Sequence, residues 1–297
     1  LSGKNYLATS NKHEPMRFPV DCFKKEFVAK KEIKSARLYA TACGIYSAYI
    51  NGEKVSMPLA PGVTDYRKRV QYQTYDVTDL IKENNIINID LADGWYRGSC
   101  GAWGLKNQYG CETKILAQLE IQYIDGTIDT VITDSSWLWS NDGSVRFADN
   151  KDGEIVDANK VPTYYTRAKL TSHNVVPSAS NNVPIAEKET FKGEMTTSPS
   201  GKKLINFKQN MAGYVSFKIN AKKGQKITLR FGEMLDENGE LTLKNIQCSN
   251  KKITTPLQTI KYTCKDGVNE YKPNFAIFGF TYMEIDTEID VSADDFT

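Results

Sequence analysis

Alternation of apolar and polar residues with period two, interrupted by Asn-Gly and Asp-Gly pairs, most constrains what this chain can fold into. In residues 117–123, an apolar residue stands at every odd position and a polar one at every even position. Asp125-Gly126 then supplies the positive φ values of a tight turn before the apolar residues of 128–133. This segment predicts a β-hairpin with one face in a core.

The same pattern returns in the second half of the chain, at Val215, Phe217, Ile219 and at Ile227, Leu229, Phe231, with residues 222–224 as the intervening turn. Further turn pairs stand at residues 51–52, 238–239 and 266–267. Helical periodicity is restricted to a single capped turn in residues 78–83. The sequence therefore predicts an all-β protein made of two antiparallel, jelly-roll-like β-sandwich domains in tandem.

Length and local composition place the division between the two domains. A chain of 297 residues is about twice the usual size of one domain. Between residues 170 and 188 the composition shifts to Ser, Asn and Pro, with few residues to bury. We predict one domain over residues 1–176 and a second over residues 177–297.

Charge and hydropathy exclude two classes of partner. The 38 Lys and Arg residues nearly balance the 36 Asp and Glu residues, so the net charge of +2 is too small for binding a phosphate backbone. No apolar stretch approaches the length of about 18 residues that a membrane-spanning helix needs. Residues 1–20 contain no apolar core of a signal peptide, which leads us to expect a cytoplasmic protein.

The six cysteines and two histidines do not form a recognisable metal or catalytic motif. No Cys-x-x-Cys pair is present, and His13 and His173 stand alone. Buried free thiols are expected, although Cys100 and Cys111 bracket one loop and leave a disulfide open. We therefore predict no metal and no cofactor.

Several longer strings carry a resemblance to a known family. LYATACGIYSAYINGEKV, DGWYRG, LAQLEIQYIDGTIDTVITDSSW and DGEIVDA resemble the N-terminal β-sandwich module of bacterial α-L-rhamnosidases, at residues 38–55, 93–98, 116–137 and 152–158. INFKQNMAGYVSFKI, ITLRFGEMLDENGEL and YKPNFAIFGFTYMEI resemble the concanavalin-like module of the same family, at residues 205–219, 227–241 and 271–285. Together these strings cover most of the chain after about residue 36.

The resemblance implies that this chain is the non-catalytic N-terminal portion of a glycoside hydrolase that removes terminal α-L-rhamnosyl residues. In that family a downstream (α/α)6 barrel performs inverting hydrolysis with acidic side chains. The implied partners are a rhamnosylated carbohydrate and the chain's own catalytic (α/α)6 domain. A free-standing carbohydrate-binding, lectin-like protein is the alternative, and a structural surface protein is a weaker one.

No catalytic residue is predicted within residues 1–297. Inverting hydrolysis needs two carboxyl groups about 6.5–9.5 Å apart across a sugar pocket. The one acidic cluster, at residues 233–240, surrounds Asn238-Gly239 and is typical of a solvated hairpin tip. Its spacing does not match a calcium loop either.

A glycine-rich loop at residues 93–109 is the candidate binding surface. Sugars are held by aromatic rings together with hydrogen bonds from polar side chains, and loops commonly carry such groups. The residues expected to contact carbohydrate or another domain are Asp93, Trp95, Tyr96, Arg97, Trp103 and Tyr109. Alternatively, Trp95 and Tyr96 close the end of the first sandwich. We also expect exposed aromatic side chains to cluster on one face, in this loop or in the second domain.

Overall fold

The computed structural model describes residues 1–2, 18–101, 104–249 and 254–297. Up to residue 157 the strands are β1 (Asp21–Val28), β2 (Ile33–Cys43), β3 (Ile45–Ile50), β4 (Glu53–Lys54), β5 (Gln71–Asp76), β6 (Asn84–Ala92), β7 (Lys114–Tyr123), β8 (Ile128–Ile132), β9 (Leu138–Ser140), β10 (Val145–Asp149) and β11 (Gly153–Asp157). The later strands are β12 (Thr166–Arg167), β13 (Ser178–Ala179), β14 (Glu194–Thr197), β15 (Lys203–Gly213), β16 (Phe217–Ala221), β17 (Lys226–Gly232), β18 (Met234–Leu235), β19 (Leu241–Thr242), β20 (Cys248–Ser249), β21 (Thr254–Thr255), β22 (Thr259–Thr263), β23 (Gly267–Tyr271) and β24 (Phe278–Thr287). Helix is confined to α1 (Gly94–Arg97) and to 3₁₀ turns at Thr78–Leu80 and Ala293–Asp295 within the described residues.

The first sandwich packs a six-stranded sheet, in the order β12-β9-β1-β6-β3-β4, against a five-stranded sheet, in the order β13-β5-β2-β7-β8. The predicted hairpin is confirmed: β7 and β8 pair antiparallel, and Gly126 occupies the turn at a φ of 81°. The odd positions of β7 are buried in the core, where Leu119 is fully covered. Burying a leucine side chain contributes about 1.5–3 kcal/mol, which fixes the face that β7 turns inward.

The second sandwich has a seven-stranded sheet, in the order β10-β11-β22-β17-β24-β15-β14, covered on its inner side by the pair β16-β23. The predicted inward residues of β16 and β17 are buried in this core. The two strands do not pair with each other, however. The turn at residues 222–224 carries the chain across the core, so that β16 pairs with β23 while β17 pairs with β22 and β24. The predicted all-β fold of two mainly antiparallel sandwiches is therefore confirmed.

Strands β10 and β11 join the two halves of the chain, because they precede residue 176 in sequence but belong to the sheet of the second sandwich. Strand β11 runs parallel to β22, with Gly153 opposite Thr259. A Cβ atom at Gly153 would lie 1.9 Å from the carbonyl oxygen of Thr259, so only glycine permits this approach. The division between residues 176 and 177 stays a prediction.

An apolar cluster continues this connection through the space between the sandwiches. Val20, Ile45 and Ala92 come from the first sandwich, and Ala148 and Phe275 come from the second. Phe275 is fully buried there. We call this apolar cluster, together with the buried polar side chains around it, the junction. The polar members are Ser99, Lys106, Asp149, Asp152, Glu154 and Thr255. The two sandwiches share both a sheet and this apolar cluster, so they form one continuous unit.

Several expectations about the surface can be compared with the described part of the chain. All six cysteines are free thiols, so Cys100 and Cys111 are not bridged. No helix among the described residues is long and apolar enough to cross a membrane. Among those residues one aromatic side chain, Tyr165, is strongly exposed, at 90%. The expected cluster of exposed aromatics in the loop at residues 93–109 or in the second sandwich is therefore not found there.

Candidate functional site

The loop at residues 93–109 begins at the junction with a buried ion pair. The short helix α1 places Arg97 one turn after Asp93, and Arg97 Nε and Nη2 donate to Asp93 Oδ1 at 2.8 and 2.6 Å. The two side chains are only 2% and 5% exposed. Arg97 also lies over the ring of Phe18, 4.4 Å from its centre. The two charges are therefore paired with each other in the interior of the protein.

A second buried group of polar side chains ties the same loop to the turn between β10 and β11. The backbone N–H of Ser99 donates to Asp149 Oδ2 at 2.7 Å, and Lys106 Nζ lies 3.5 Å from the same oxygen. Lys106 and Asp149 are 7% and 0% exposed at their side chains. At Gly98 a Cβ atom would lie 3.0 Å from that carboxylate and 2.4 Å from a backbone oxygen. The glycine thus lets the loop close over Asp149.

Asp152 extends this contact into the second sandwich. Its Oδ1 accepts hydrogen bonds from Thr255 Oγ1 at 2.6 Å and from the backbone N–H of Leu257 at 3.1 Å, while its Oδ2 accepts from Ser99 Oγ at 3.2 Å. Burial raises the pKa of Asp152, and the neighbouring charge of Asp149 raises it further. One carboxylate therefore connects the loop at residues 93–109 to the strands around residue 255.

Glu154 plays a similar part on β11. Its Oε1 accepts the backbone N–H groups of Asn274 and Phe275 at 2.9 and 2.7 Å, and its Oε2 accepts the hydroxyl of Tyr271 at 2.9 Å. The residue is fully buried, which raises the pKa of its carboxyl group. Glu154 holds the 271–275 segment in place, and this segment carries Phe275 into the apolar cluster of the junction.

Asp90 and Lys54 are further charged groups near the junction. Lys54 Nζ donates to Asn274 Oδ1 at 2.8 Å, and its charge acts on both Asp90 and Glu154. Burial raises the pKa of Asp90 to about 6, although a hydrogen bond with Cys22 and the charge of Lys54 act in the opposite direction. Asp90 therefore takes up a proton more readily in the folded state than in the unfolded chain.

This shift makes stability depend on pH. An acid whose pKa is raised by folding contributes stability below its unfolded pKa, and this contribution is lost as the pH rises to the folded value. Relative to Asp90→Asn, the wild-type free energy of unfolding should therefore fall by about 2 kcal/mol between pH 4 and pH 6.5. Urea titrations of both proteins at several pH values measure this difference.

Asp125→Asn is the matched control for the Asp90 prediction. Hydrogen bonds from Thr127, with Lys31 nearby, lower the pKa of Asp125 to about 2. Its contribution is lost only as the pH falls through that region, so the difference between wild type and Asp125→Asn should stay constant from pH 4 to pH 6.5. A difference for Asp90→Asn that is equally flat would contradict the assignment of a raised pKa.

Two aromatic residues of the loop at residues 93–109, Tyr96 and Tyr109, pack against Tyr66. Tyr96 is 4% exposed and packs edge-on against Tyr66, at 5.3 Å between ring centres. Tyr109 is half-buried and contacts the same ring of Tyr66 at 5.1 Å, with Arg67 lying 5.4 Å from its own ring centre. Trp95 is half-buried between this group and the junction. Trp103 lies outside the described residues.

The structure thus brings Asp93 and Arg97 together as one pair and Tyr96 and Tyr109 together as another group, with Trp95 between them. A role of any of these residues in binding carbohydrate stays a prediction. The alternative interpretation, in which Trp95 and Tyr96 close the sandwich, agrees with the burial of Tyr96.

Two groups of acidic residues are hydrogen-bonded within the described part of the protein. The cluster at residues 233–240 forms a tight turn, in which the N–H of Gly239 donates to the carbonyl of Asp236 and Glu240 accepts from Ser200. No group of three or more potential metal ligands exists among the residues that the structure describes. The carboxylates at the junction accept hydrogen bonds from the protein itself and connect segments that are distant in sequence.

Sequence reasoning missed the polar members of the junction, which are Ser99, Lys106, Asp149, Asp152, Glu154 and Thr255. One signal was present in the string DGEIVDA, which places one acid on each side of Gly153, namely Asp152 and Glu154. Such acids at the start of an otherwise apolar strand indicate buried carboxylates with backbone partners. Two of their partners, Thr255 and Asn274, lie more than a hundred residues away.

The fold and its junction define a class of protein, namely a tandem β-sandwich unit whose two halves share a sheet and whose junction contains buried, hydrogen-bonded carboxylates. The family described as the alpha-L-rhamnosidase N-terminal domain matches residues 31–197. The family described as the bacterial alpha-L-rhamnosidase concanavalin-like domain matches residues 196–297. This chain belongs to the bacterial α-L-rhamnosidase family.

Individual relatives agree with this assignment. An alpha-L-rhamnosidase of Streptomyces avermitilis is 36% identical over 271 residues, covering 86% of this chain and 25% of the relative. An alpha-L-rhamnosidase of Alteromonas sp. is 33% identical over 285 residues, covering 88% of this chain and 29% of the relative. The crystal structure of the Streptomyces avermitilis alpha-L-rhamnosidase complexed with L-rhamnose superposes with a TM-score of 0.86 at 32% identity, over 95% of this chain and 28% of that one. The chain therefore spans less than a third of the length of these relatives.

Proposed function

We propose that this chain is the non-catalytic portion of an α-L-rhamnosidase, which supports the catalytic domain and shapes access of substrate to it. The observation that carries the proposal is that two rhamnosidase domain families together match residues 31–297, while the chain covers only 25% of the Streptomyces relative. The hydrolysis of terminal α-L-rhamnosyl residues would then be performed by the remaining part of the full-length protein. Its partners would be a rhamnosylated carbohydrate and its own (α/α)6 domain.

The junction supports a role as a rigid base. The two sandwiches share a continuous sheet through β11 and β22, and the buried carboxylates of Asp149, Asp152 and Glu154 connect segments from both. A base that holds a catalytic domain has to resist bending between its own halves, because small displacements of catalytic groups are costly. The lectin-like alternative is weaker, since the relatives reported above are all named as hydrolases.

Activity measurements on two proteins test the proposal. Residues 1–297 alone should show no turnover of an aryl α-L-rhamnoside, and the full-length protein that contains them should hydrolyse it. Circular dichroism of the isolated chain confirms that it is folded in the same buffer. Turnover by residues 1–297 alone, or a folded full-length protein that is inactive on every rhamnoside tested, would refute the proposal.

A further inference from the structure

The outer face of the five-stranded sheet combines apolar side chains with polar ones in a way that the support role does not need. Outward side chains of β2, β5 and β7 line a groove of about 500 Å³, and Pro177 stands at its side. At its other edge are Leu116 and Ile132, which are 52% and 48% exposed. We call this region the Tyr39 groove; the residues that the argument uses are Tyr39, Tyr72, Leu116, Gln118, Glu120 and Ile132.

Two tyrosine rings form the central part of the groove. Tyr39 and Tyr72 are half-buried and lie edge to face, with 6.0 Å between their ring centres. Neither hydroxyl group has a hydrogen-bond partner among the described residues. The rings are held by the sheet and by each other, while their polar ends remain available. A ligand with both apolar C–H groups and hydroxyl groups matches such a pair.

Amide and carboxylate groups lie beside the rings. Gln118 pairs with Tyr39 in the register of β2 and β7 and is followed on the same face by Glu120. Gln118 Nε2 donates to Glu120 Oε1 at 2.7 Å, which orients both groups and leaves Gln118 Oε1 and Glu120 Oε2 free to accept further bonds. Arg37 stands opposite Glu120 in the same register, so opposite charges are adjacent. The groove thus offers donors and acceptors without a strong net charge.

We propose that the Tyr39 groove binds a neutral saccharide. Aromatic rings would pack against the C–H face of a sugar, and the amide and carboxylate groups would bond its hydroxyls. A protein partner fits less well, because the central polar groups would lose water on docking and an interface core is depleted of charged residues. An anionic ligand would be repelled by Glu120. The site lies on a different surface from the loop at residues 93–109.

This inference goes beyond the proposed function, because the groove would bind sugar whether or not the chain supports a catalytic domain. Binding measurements therefore separate the two. An isolated chain that binds sugar without turnover supports both proposals, whereas an isolated chain that binds none leaves the support role intact and removes this one.

Titration calorimetry on residues 1–297, with L-rhamnose and a panel of neutral mono- and oligosaccharides, tests the groove. The wild-type chain should bind at least one of these sugars with a millimolar or tighter dissociation constant. Tyr39→Ala should weaken that binding about tenfold, because it removes the central ring. Gln118→Ala should weaken it by a smaller factor. Tyr165→Ala removes a 90% exposed tyrosine outside the groove and should leave binding unchanged.

Other outcomes would overturn the proposal. Circular dichroism first establishes that each variant is folded, and Tyr39→Phe keeps the ring in case the alanine variant does not fold. The groove is not a sugar site if no sugar in the panel binds, or if Tyr39→Ala and Gln118→Ala bind as the wild type does. Sedimentation that shows a dimer broken by Ile132→Lys would instead assign this face to a second copy of the chain.

Discussion

Replacing Asp93 with alanine should lower the free energy of unfolding by about 3–5 kcal/mol, because it leaves the Arg97 guanidinium buried without its carboxylate. Arg97 is 2% exposed at its side chain, and Asp93 Oδ1 accepts from both its Nε and its Nη2. Water cannot replace these bonds without opening the loop. Since Arg97 belongs to the loop that closes over Asp149, the loss should also loosen the junction.

The matched control is Asp65→Ala, which removes the partner of an exposed arginine. Arg67 Nε lies 2.8 Å from Asp65 Oδ1, but the two side chains are 69% and 32% exposed. Exposed ion pairs contribute little, because water and salt screen them. Urea unfolding followed by tryptophan fluorescence should therefore show a large loss for Asp93→Ala and no measurable loss for Asp65→Ala. Equal, small losses in both variants would show that the buried pair is not essential.

Local pattern was sufficient to predict the elements of the fold. The hairpin of β7 and β8 follows from alternation and from Asp125-Gly126 alone, since both its inward face and its turn are determined by neighbouring residues. The strands around Phe217 and Phe231 are correct for the same reason. Elements whose geometry depends on contacts within about ten residues can be found in a single sequence.

The pairing partners of strands could not be predicted in this way. Alternation shows which face of a strand is buried, but it does not show which sheet the strand joins. For this reason alternation does not show that β10 and β11 belong to the sheet of the second sandwich, where β11 lies parallel to β22 across about a hundred residues. Nor does alternation show that the chain crosses the core at the turn at residues 222–224, so that β16 and β17 pair with other strands.

At the candidate site, too, the sequence alone did not predict how residues distant from one another in the chain are arranged. The sequence identified the loop at residues 93–109 from its aromatic and glycine content, and this loop does lie at the junction. Charged residues in such a loop can face a ligand or another part of the protein, and composition does not distinguish these cases. In the structure Asp93 and Arg97 are buried and face each other inside the protein. Burial depends on Phe18 and on the turn at Asp149, both distant in sequence.

Glu154→Leu should lower the free energy of unfolding by about 3 kcal/mol. The substitution removes the acceptor of two backbone N–H groups, at Asn274 and Phe275, and of the Tyr271 hydroxyl. Each buried donor left without a partner costs about 1–3 kcal/mol, and relief from burying a carboxyl group offsets part of the sum. Urea unfolding of the variant at pH 7 measures the loss.

Glu154→Gln is the control that separates the hydrogen bonds from the charge. Its amide oxygen can still accept the N–H groups of Asn274 and Phe275, so its loss should be much smaller than that of Glu154→Leu. Burial raises the pKa of Glu154, which means that wild-type stability falls as the pH rises from the unfolded pKa towards the folded one. The deficit of Glu154→Gln relative to wild type should therefore shrink across that interval. Equal losses for the two variants at every pH would show that the acceptor oxygen kept by glutamine does not stabilise the junction, which would then depend on packing around Phe275.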